Sequence, residues 1–336
     1  RDSSVTGVQT CALPIYYSGY TAVEKVSNTI EMLSGAELRN YLKTVGKVPF
    51  DDNGADIDWQ KEVMRTGISQ NHNVSFGGGT DKTVFSASVN YLDNQGIIKT
   101  SSLDRWTARV NLEQKAFDDK VTIGLNLTNA TTNKHVVNSA VFSNMLKYLR
   151  TVGIYKADGS FFENTQQSGY WNPVALLNNE IDDRKIINLL ANVTLKVNLF
   201  SWLTYNANVS LQNDEIQQNQ YSKKASTVHL GANGYAIRNE YTNRKTLAEN
   251  YFTFDKTVGM HKVKVLAGYS YQEDKLNDGF QAANSNFISD DLVYNNLSFG
   301  SSPDKVNTND RFGTATIQTL RIASFYSRLN YQFDNK

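Results

Sequence analysis

The 336-residue sequence contains one cysteine, four prolines and four histidines. A lone cysteine, Cys11, excludes an internal disulfide framework. The histidines, His72, His135, His229 and His261, fall in separate segments, without the i, i+4 spacing or cysteine company of a metal site. No nucleophile elbow, P-loop or GxGxxG run occurs, so neither an enzyme nor a bound cofactor is expected. Basic and acidic residues number 34 and 33, for a net charge of +1. No Lys/Arg run exceeds two residues, so the electrostatic footprint of a nucleic-acid binder is missing. No stretch reaches the roughly eighteen apolar residues of a transmembrane helix. That leaves membrane-spanning strands open, because they alternate lipid-facing and polar residues and keep hydropathy low; the mean hydropathy is -0.46.

What the chain has instead is aromatics and turn formers: 18 Tyr, 16 Phe and 21 Gly. They accompany a strict period of two. In "DRWTARVNLE" (104 to 113), Trp106, Ala108, Val110 and Leu112 oppose Arg105, Thr107, Arg109, Asn111 and Glu113. "KVTIGLNLTN", "TVFSASVNY", "INLLANVTLKVNL" and "LTYNANVSLQ" repeat the pattern, and "LAENYFTFDK", "KVKVLAGYSYQ" and "ASFYSRLNYQF" do so with exceptions. With strands near residues 16 to 25 and 70 to 78, about ten strands are predicted, with runs of about ten to thirteen residues. Strands of soluble domains cluster near five or six residues, whereas a tilted bilayer-spanning strand needs about nine to eleven.

Short turns at 77 to 82, 114 to 120, 200 to 202 and 256 to 261 alternate with long polar connections near 26 to 69, 93 to 103, 132 to 184, 213 to 244 and 276 to 319. This is the rhythm of an outer-membrane barrel with short turns at one rim and long loops at the other. The expected fold class is therefore all-β: an antiparallel up-and-down transmembrane β-barrel fragment with long extracellular loops containing short helices. Trp106, Trp202, Tyr205, Tyr269, Tyr331 and Phe333 are candidates for the aromatic girdles, and Asn, Ser, Thr, Arg and Lys of opposite parity for the lumen wall. The competing readings are a soluble or surface β-rich adhesin and a barrel protease, the latter disfavoured by scattered histidines.

Within the first long connection, Ser34 and Glu37 form a capping box ahead of Leu38, Tyr41 and Leu42, with Gly46 as a stop. "DWQKEVMRTG" reads as a second helix capped by Asp58, with Glu62 and Arg65 three apart. "DDNGADID" places Asp51, Asp52, Asp56 and Asp58 around a glycine, loosely like a Ca²⁺ loop but without its full spacing and terminal Glu; a plain solvated loop is the alternative. The loop at 155 to 179 gathers Tyr155, Phe161, Phe162, Tyr170 and Trp171 among Asn, Gln and Ser. Rings that stack beside amides that hydrogen-bond suit a polar ligand, a sugar or a peptide; packing between loops is the alternative.

Residues 58 to 115 resemble the SusC/RagA family of TonB-dependent outer-membrane transporters. The likeness rests on Asp58-Trp59-Gln60, the strand Gln70-Asn71-His72-Asn73, a glycine turn, Tyr91-Leu92-Asp93 followed by Gly96-Ile97, and Arg105, Arg109, Asn111 and Leu112 in one strand. "IYKADGSF" (154 to 161), "NPVALL" (172 to 177), "LAGYSYQ" (266 to 272) and "DDLVYNNL" (290 to 297) extend it from about Tyr16 to Lys336. The resemblance implies a barrel of about 22 strands with a plug in its lumen. It also implies a TonB box for the TonB complex, a SusD-like lipoprotein lid and uptake of oligosaccharides, or secondarily peptides, across the outer membrane. On that reading residues 16 to 336 are a partial barrel domain lacking the plug and the C-terminal strands.

Residues 1 to 15 read differently: "VTGVQTCALPI" matches the translation of a widely used sequencing adapter, and no secretory signal is present. Cys11 is then foreign, and "YYSGYTAVEK" is the first barrel strand after the plug. Sequencing the locus across Ile15 is expected to show different upstream codons; recovery of the same codons from genomic DNA would contradict this.

Overall fold

The computed structural model describes residues 14–302 and 317–334. Residues 1 to 13 of the adapter-like stretch, Cys11 among them, and residues 303 to 316 of the last long connection lie outside the described residues, whereas Ile15 already pairs as the first residue of β1. Ten strands run in chain order: β1 (Ile15–Glu24), β2 (Gly67–Gly79), β3 (Thr83–Gln95), β4 (Ser102–Ala116), β5 (Val121–His135), β6 (Glu180–Phe200), β7 (Leu203–Ser222), β8 (Tyr235–Val258), β9 (His261–Ser285) and β10 (Gln318–Phe333). Each pairs antiparallel with its sequence neighbour, giving one ten-stranded sheet of order β1 to β10. Four helices sit in the long connections: α1 (Gly35–Thr44), α2 (Trp59–Val63), α3 (Ala140–Lys147) and α4 (Pro173–Asn179).

The short turns fall where the sequence places them, at 80–82, 117–120, 201–202 and 259–260. Three consecutive positive-φ residues, Phe117, Asp118 and Asp119, close the β4–β5 turn; the two aspartates tolerate that conformation better than most side chains.

β4 to β10 are longer than predicted, from 15 residues in β4 to 25 in β9, whereas β1, β2 and β3 keep 10, 13 and 13. The connections assigned to 93 to 103, 213 to 244 and 276 to 319 shrink to 96–101, 223–234 and 286–317. Asn213 to Ser222 carries polar residues on both faces, so the alternation disappears while the ladder to β6 and β8 continues. Hydrophobic period reports burial in an apolar medium, not hydrogen bonding.

The register gathers the apolar parity onto one face. Val89 of β3 opposes Ala108 of β4, Val110 opposes Leu127 of β5, Leu125 opposes Val193 of β6, and Val193 opposes Val209 of β7. Many of these side chains stay exposed, including Val193 at 46% and Val209 at 57%. From Ile187 to Leu199 the β6 members of this face span about 40 Å of strand, or about 30 Å of height at a tilt of about 40°. Aromatics bound the band. Toward the short turns lie the pairs Phe200–Trp202, Trp202–Phe254 and Tyr205–Phe252, with His261 against Tyr331 and Phe333. Toward the loops lie Tyr91–Trp106 and Tyr269–Phe325. All six girdle candidates fall on these belts.

The opposite face is wet and cross-linked by amides. Asn71 and Asn90 exchange side-chain bonds at 3.2 and 3.0 Å, Asn111 donates to Ser86, and Asn192 donates to Asn208 and Ser210. On this face Gly268 lies between Tyr251 and Tyr326 in the register. A Cβ there would meet the Tyr251 Cβ and the Tyr326 ring at 2.6 Å, and the Tyr326 hydroxyl is itself tied to Glu249 at 2.8 Å. Gly268→Ala is therefore expected to lower sheet stability by about 1–3 kcal/mol, measured by denaturant unfolding of the intact protein.

Candidate functional site in the loop cluster

All the long connections leave from one end of the sheet. They pack into a cluster with small cores of its own. The capping box of α1 forms as the sequence predicts: the Glu37 amide donates to Ser34 Oγ at 3.2 Å, and Glu37 Oε2 accepts from the Ser34 amide at 2.8 Å. Gly46, in the left-handed region at φ 67°, follows the helix end. Asp58 caps α2, accepting from the Lys61 amide at 3.3 Å. The predicted Glu62–Arg65 spacing does not become a helical pair, because α2 ends at Val63 and Met64 bridges Ile98 in extended form. Arg65 instead donates to the Gly96 and Ser101 carbonyls at 2.9 and 2.7 Å, fixing the β3–β4 connection.

Trp59, 2% exposed, sets its edge against Tyr148 with centroids 5.0 Å apart and donates Nε1–H to the Leu149 carbonyl at 3.1 Å. Tyr148 stacks on Tyr170 at 4.4 Å, and Phe50 meets Tyr170 edge-on. The Tyr148 hydroxyl donates to the Phe162 carbonyl at 2.9 Å, and the Tyr170 hydroxyl accepts from the Leu149 amide at 2.8 Å. Burial raises both phenol pKa values, that of Tyr170 to about 12. A second core joins Val63, Ile98, Val141, Leu176 and Leu177, with Trp171 and Val228 at its margin.

Two buried asparagines fasten the irregular backbone. Asn172 caps α4 by accepting from the Val174 and Ala175 amides, and donates to the Ile154 carbonyl at 2.9 Å. Asn144 accepts from the Trp171 amide at 3.0 Å.

The five aromatic candidates therefore occupy different places. Tyr170 and Phe162 belong to the Trp59 core. Tyr155 and Phe161 face each other across a small hairpin with rings 5.1 Å apart, Tyr155 being 54% exposed. Trp171 reaches a cleft of about 880 Å³. That cleft lies between 164–171 and 227–235, and among its described lining residues are Asn164, Gln166, Ser168, Thr227 and Tyr235. No Asp, Glu, Lys or Arg is among them. Residues 227–232 carry no ligand-like signal in the sequence, because their partners are some sixty residues away in the chain.

The four aspartates of 51 to 58 diverge. Asp52 forms a two-pronged pair with Arg39 at 2.9 and 2.8 Å, and that guanidinium, helped by the Gly54 amide, lowers its carboxyl to about 2. Asp56 accepts from the Gly35 amide at 2.8 Å and from Arg150 at 3.1 Å, Asp51 accepts from Asn164, and Asp58 is a helix cap. Each carboxylate thus has its own partner, and among the described residues no three metal-ligating side chains converge. The histidines are equally dispersed, His135 on Asp183 at 2.7 Å and His229 on Ser222 at 2.9 Å.

No protein-family profile matches the chain. Curated relatives do. TonB-dependent receptor P3 of Formosa agariphila is 26% identical over 325 residues, covering 94% of this chain and 32% of the relative. TonB-dependent receptor SusC of Bacteroides thetaiotaomicron is 25% identical over 350 residues, covering 96% and 33%. Over most of its length the chain is similar to TonB-dependent receptors, SusC among them. It spans about a third of the length of these relatives, which are receptors and not enzymes. The same fold appears in the structure of the RagAB peptide transporter, with a TM-score of 0.76 at 18% identity over 96% of this chain and 40% of that one. In the "open-open" state of the RagAB peptide importer the TM-score is 0.72. The SusC/RagA motif Asp58-Trp59-Gln60 has a structural meaning here: a helix cap, the centre of the aromatic core, and an amide that donates to the Ile30 carbonyl at 2.7 Å.

Trp59→Ala removes both the core ring and the Leu149 hydrogen bond. It is expected to destabilise the loop cluster by about 3–5 kcal/mol, read as faster proteolysis within 140–171 with the sheet intact.

Proposed function

We propose that this chain is the first part of the barrel of an outer-membrane importer, and that residues 16 to 336 form a partial barrel domain. The importer takes up large polar nutrients, oligosaccharides or peptides, under the control of TonB. A SusD-like lipoprotein closes over the loop end. One observation supports this most: an apolar band about 30 Å tall, bounded by aromatics and running across ten strands whose long connections all leave from one end. In water such a face would be a continuous exposed patch far larger than soluble proteins carry. In a bilayer it is the solvent-matched surface.

The transport reading asks for no bond chemistry. It asks for a rigid wall, a polar passage and a ligand-holding rim. The ladders supply the wall. The amide-rich face supplies a lining that can exchange hydrogen bonds with a passing polar solute at little cost. At the rim, Trp171 offers a ring beside Asn164, Gln166 and Thr227, and Tyr155 and Phe161 stand on an exposed hairpin. Phe162 and Tyr170 act by holding that rim in shape. The absence of formal charge among the cleft's described lining residues favours neutral hydroxyl-rich or amide-rich oligomers. The peptide cargo of RagAB is consistent with the amide-rich case.

The test is uptake by the intact receptor expressed with its lipoprotein in an outer-membrane host. Accumulation of fluorescent oligosaccharides or peptides is expected, together with its loss on deletion of TonB. Accumulation that persists without TonB, or recovery of the receptor in the soluble fraction after carbonate extraction, would contradict the reading. Val193→Lys, in the middle of the band, is expected to lower the stability of the inserted barrel by about 2–4 kcal/mol, measured by unfolding from lipid.

A further inference from the structure

On the face that carries the apolar band, the chemistry changes where the band ends. On β6 the last apolar member of the band is Ile187, and the next residue of that parity toward the loops is Lys185. On β8, Ala248 and Thr246 lead to Arg244; on β9, Tyr271 leads through Glu273 to Lys275; on β10, Phe325 and Ala323 lead to Arg321. We infer that Arg244, Lys275 and Arg321, with Lys185 further round the wall, form a site for the phosphate of a lipid headgroup at the edge of the bilayer.

The register sets two of these cations against each other. Arg244 lies directly opposite Lys275, and like charges so placed on a pleated face destabilise a ladder unless something negative sits between them. Arg321 is the diagonal neighbour of Lys275, whose own partner on β10 is Thr319 two residues away, so long side chains from all three positions can meet. Arg244 is exposed, and the Lys275 and Arg321 side chains are 43% and 66% exposed.

The neighbouring carboxylates do not fill this gap. Glu273 lies one step toward the short turns and takes Arg321 Nε at 2.6 Å. Asp278 and Glu215 lie one step toward the loops, Asp278 paired with Lys275 and Glu215 accepting from the Asn213 side chain at 3.1 Å. Arg244 is left with a neutral partner, the Asn213 Oδ1 at 3.3 Å, and among the described residues it makes no ion pair. The Lys275 and Arg321 pairs are open to solvent and therefore weak, so a phosphate that reaches all three cations displaces little.

The backbone is irregular at the same point. Between the pairs Arg244–Lys275 and Thr242–Asp278, the two residues Leu276 and Asn277 oppose the single Asn243. Asn277 is in the left-handed region at φ 58°, and its amide donates to Asn243 Oδ1 at 2.8 Å. Residues three apart on a regular strand face opposite ways; this bulge turns Asp278 onto the face of Lys275. It thus draws the lysine's carboxylate partner toward the loops and away from Arg244.

Position selects the occupant. The cations are continuous with the lipid-facing band, so a lipid whose chains lie on Ala248, Tyr271, Ala323 and Phe325 presents its headgroup to them. Phosphate suits them, because a guanidinium binds it through two parallel hydrogen bonds and an ammonium as a point charge. The site is local and not a girdle: above the Tyr91–Trp106 pair the same parity carries Asp93 and Asp104, which face each other. With the loop end outside, the partner is a phosphorylated glycolipid of the outer leaflet. The inference rests on the membrane reading of the band.

The experiment titrates the intact receptor, in phosphatidylcholine nanodiscs, with lipid A and with its dephosphorylated form, counting bound lipid by native mass spectrometry. A preference for the phosphorylated form is expected. Arg244→Gln is expected to cut that preference about fivefold, and Arg244→Gln combined with Lys275→Gln to abolish it, with binding of the dephosphorylated form retained. Lys82→Gln, on a short turn at the other end of the sheet, is expected to leave it unchanged. Equal binding of the two forms, an undiminished preference in the double variant, or an equal loss in Lys82→Gln would each overturn the site. Loss of the preference in millimolar inorganic phosphate at matched ionic strength would reassign it to free phosphate and overturn the lipid. A receptor that does not enter the nanodiscs overturns the membrane reading, and this inference with it; one that enters and shows no preference overturns this inference alone.

Discussion

Every backbone amide and carbonyl in a hydrocarbon layer needs a partner within the protein, and the rest of this structure follows from that constraint. A strand meets it only with a neighbour on each side. Nine antiparallel ladders in uninterrupted order meet it for β2 to β9. Once the ladder is fixed, side chains alternate by geometry alone. The apolar parity then builds a continuous band, and the polar parity a wall of Asn, Ser and Thr whose amides bond across strands instead of standing unpaired. β1 and β10 each have one neighbour in the described sheet, so in a bilayer both need further strands to pair with.

Above the band the governing physics changes. There the connections meet water and are not obliged to be regular, and they fold by burying a few aromatic and aliphatic residues around Trp59 and Val141. Buried amides do what a ladder does elsewhere. Asn172 and Asn144 satisfy backbone groups that no helix or strand supplies. The cluster is thus a rigid frame around clefts.

The sequence was legible where one medium lies on each side of a strand. Val121 to Leu127 and Ile187 to Leu199 show their face and direction directly, and the turn ahead of Val121 is marked by Asp118, Asp119 and Lys120. Legibility failed in two places. The upper halves of β7, β8 and β9 carry polar residues on both faces, so nothing in their pattern distinguishes ladder from loop. The other place was the loop cluster. The Ser34 and Asp58 caps are local signals and were readable. Helices α3 and α4 depend on packing between distant segments, although Asn172 followed by Pro173 carries a cap signal of its own. The same holds for the aromatics: from spacing alone, Tyr170 in a core and Trp171 at a cleft look alike. Glu163 gives no sign in the sequence that burial will hold its proton to near neutrality.

The central claim is that one face of this sheet meets lipid and the other an aqueous lumen. Single spin labels along β6, from Ile187 to Val197, in the intact receptor in bilayers test it most directly, by collision with oxygen and with a water-soluble nickel chelate. The account predicts a period of two, with oxygen favoured at 187, 189, 191, 193, 195 and 197 and nickel favoured at the residues between. Nickel access at both parities would contradict it.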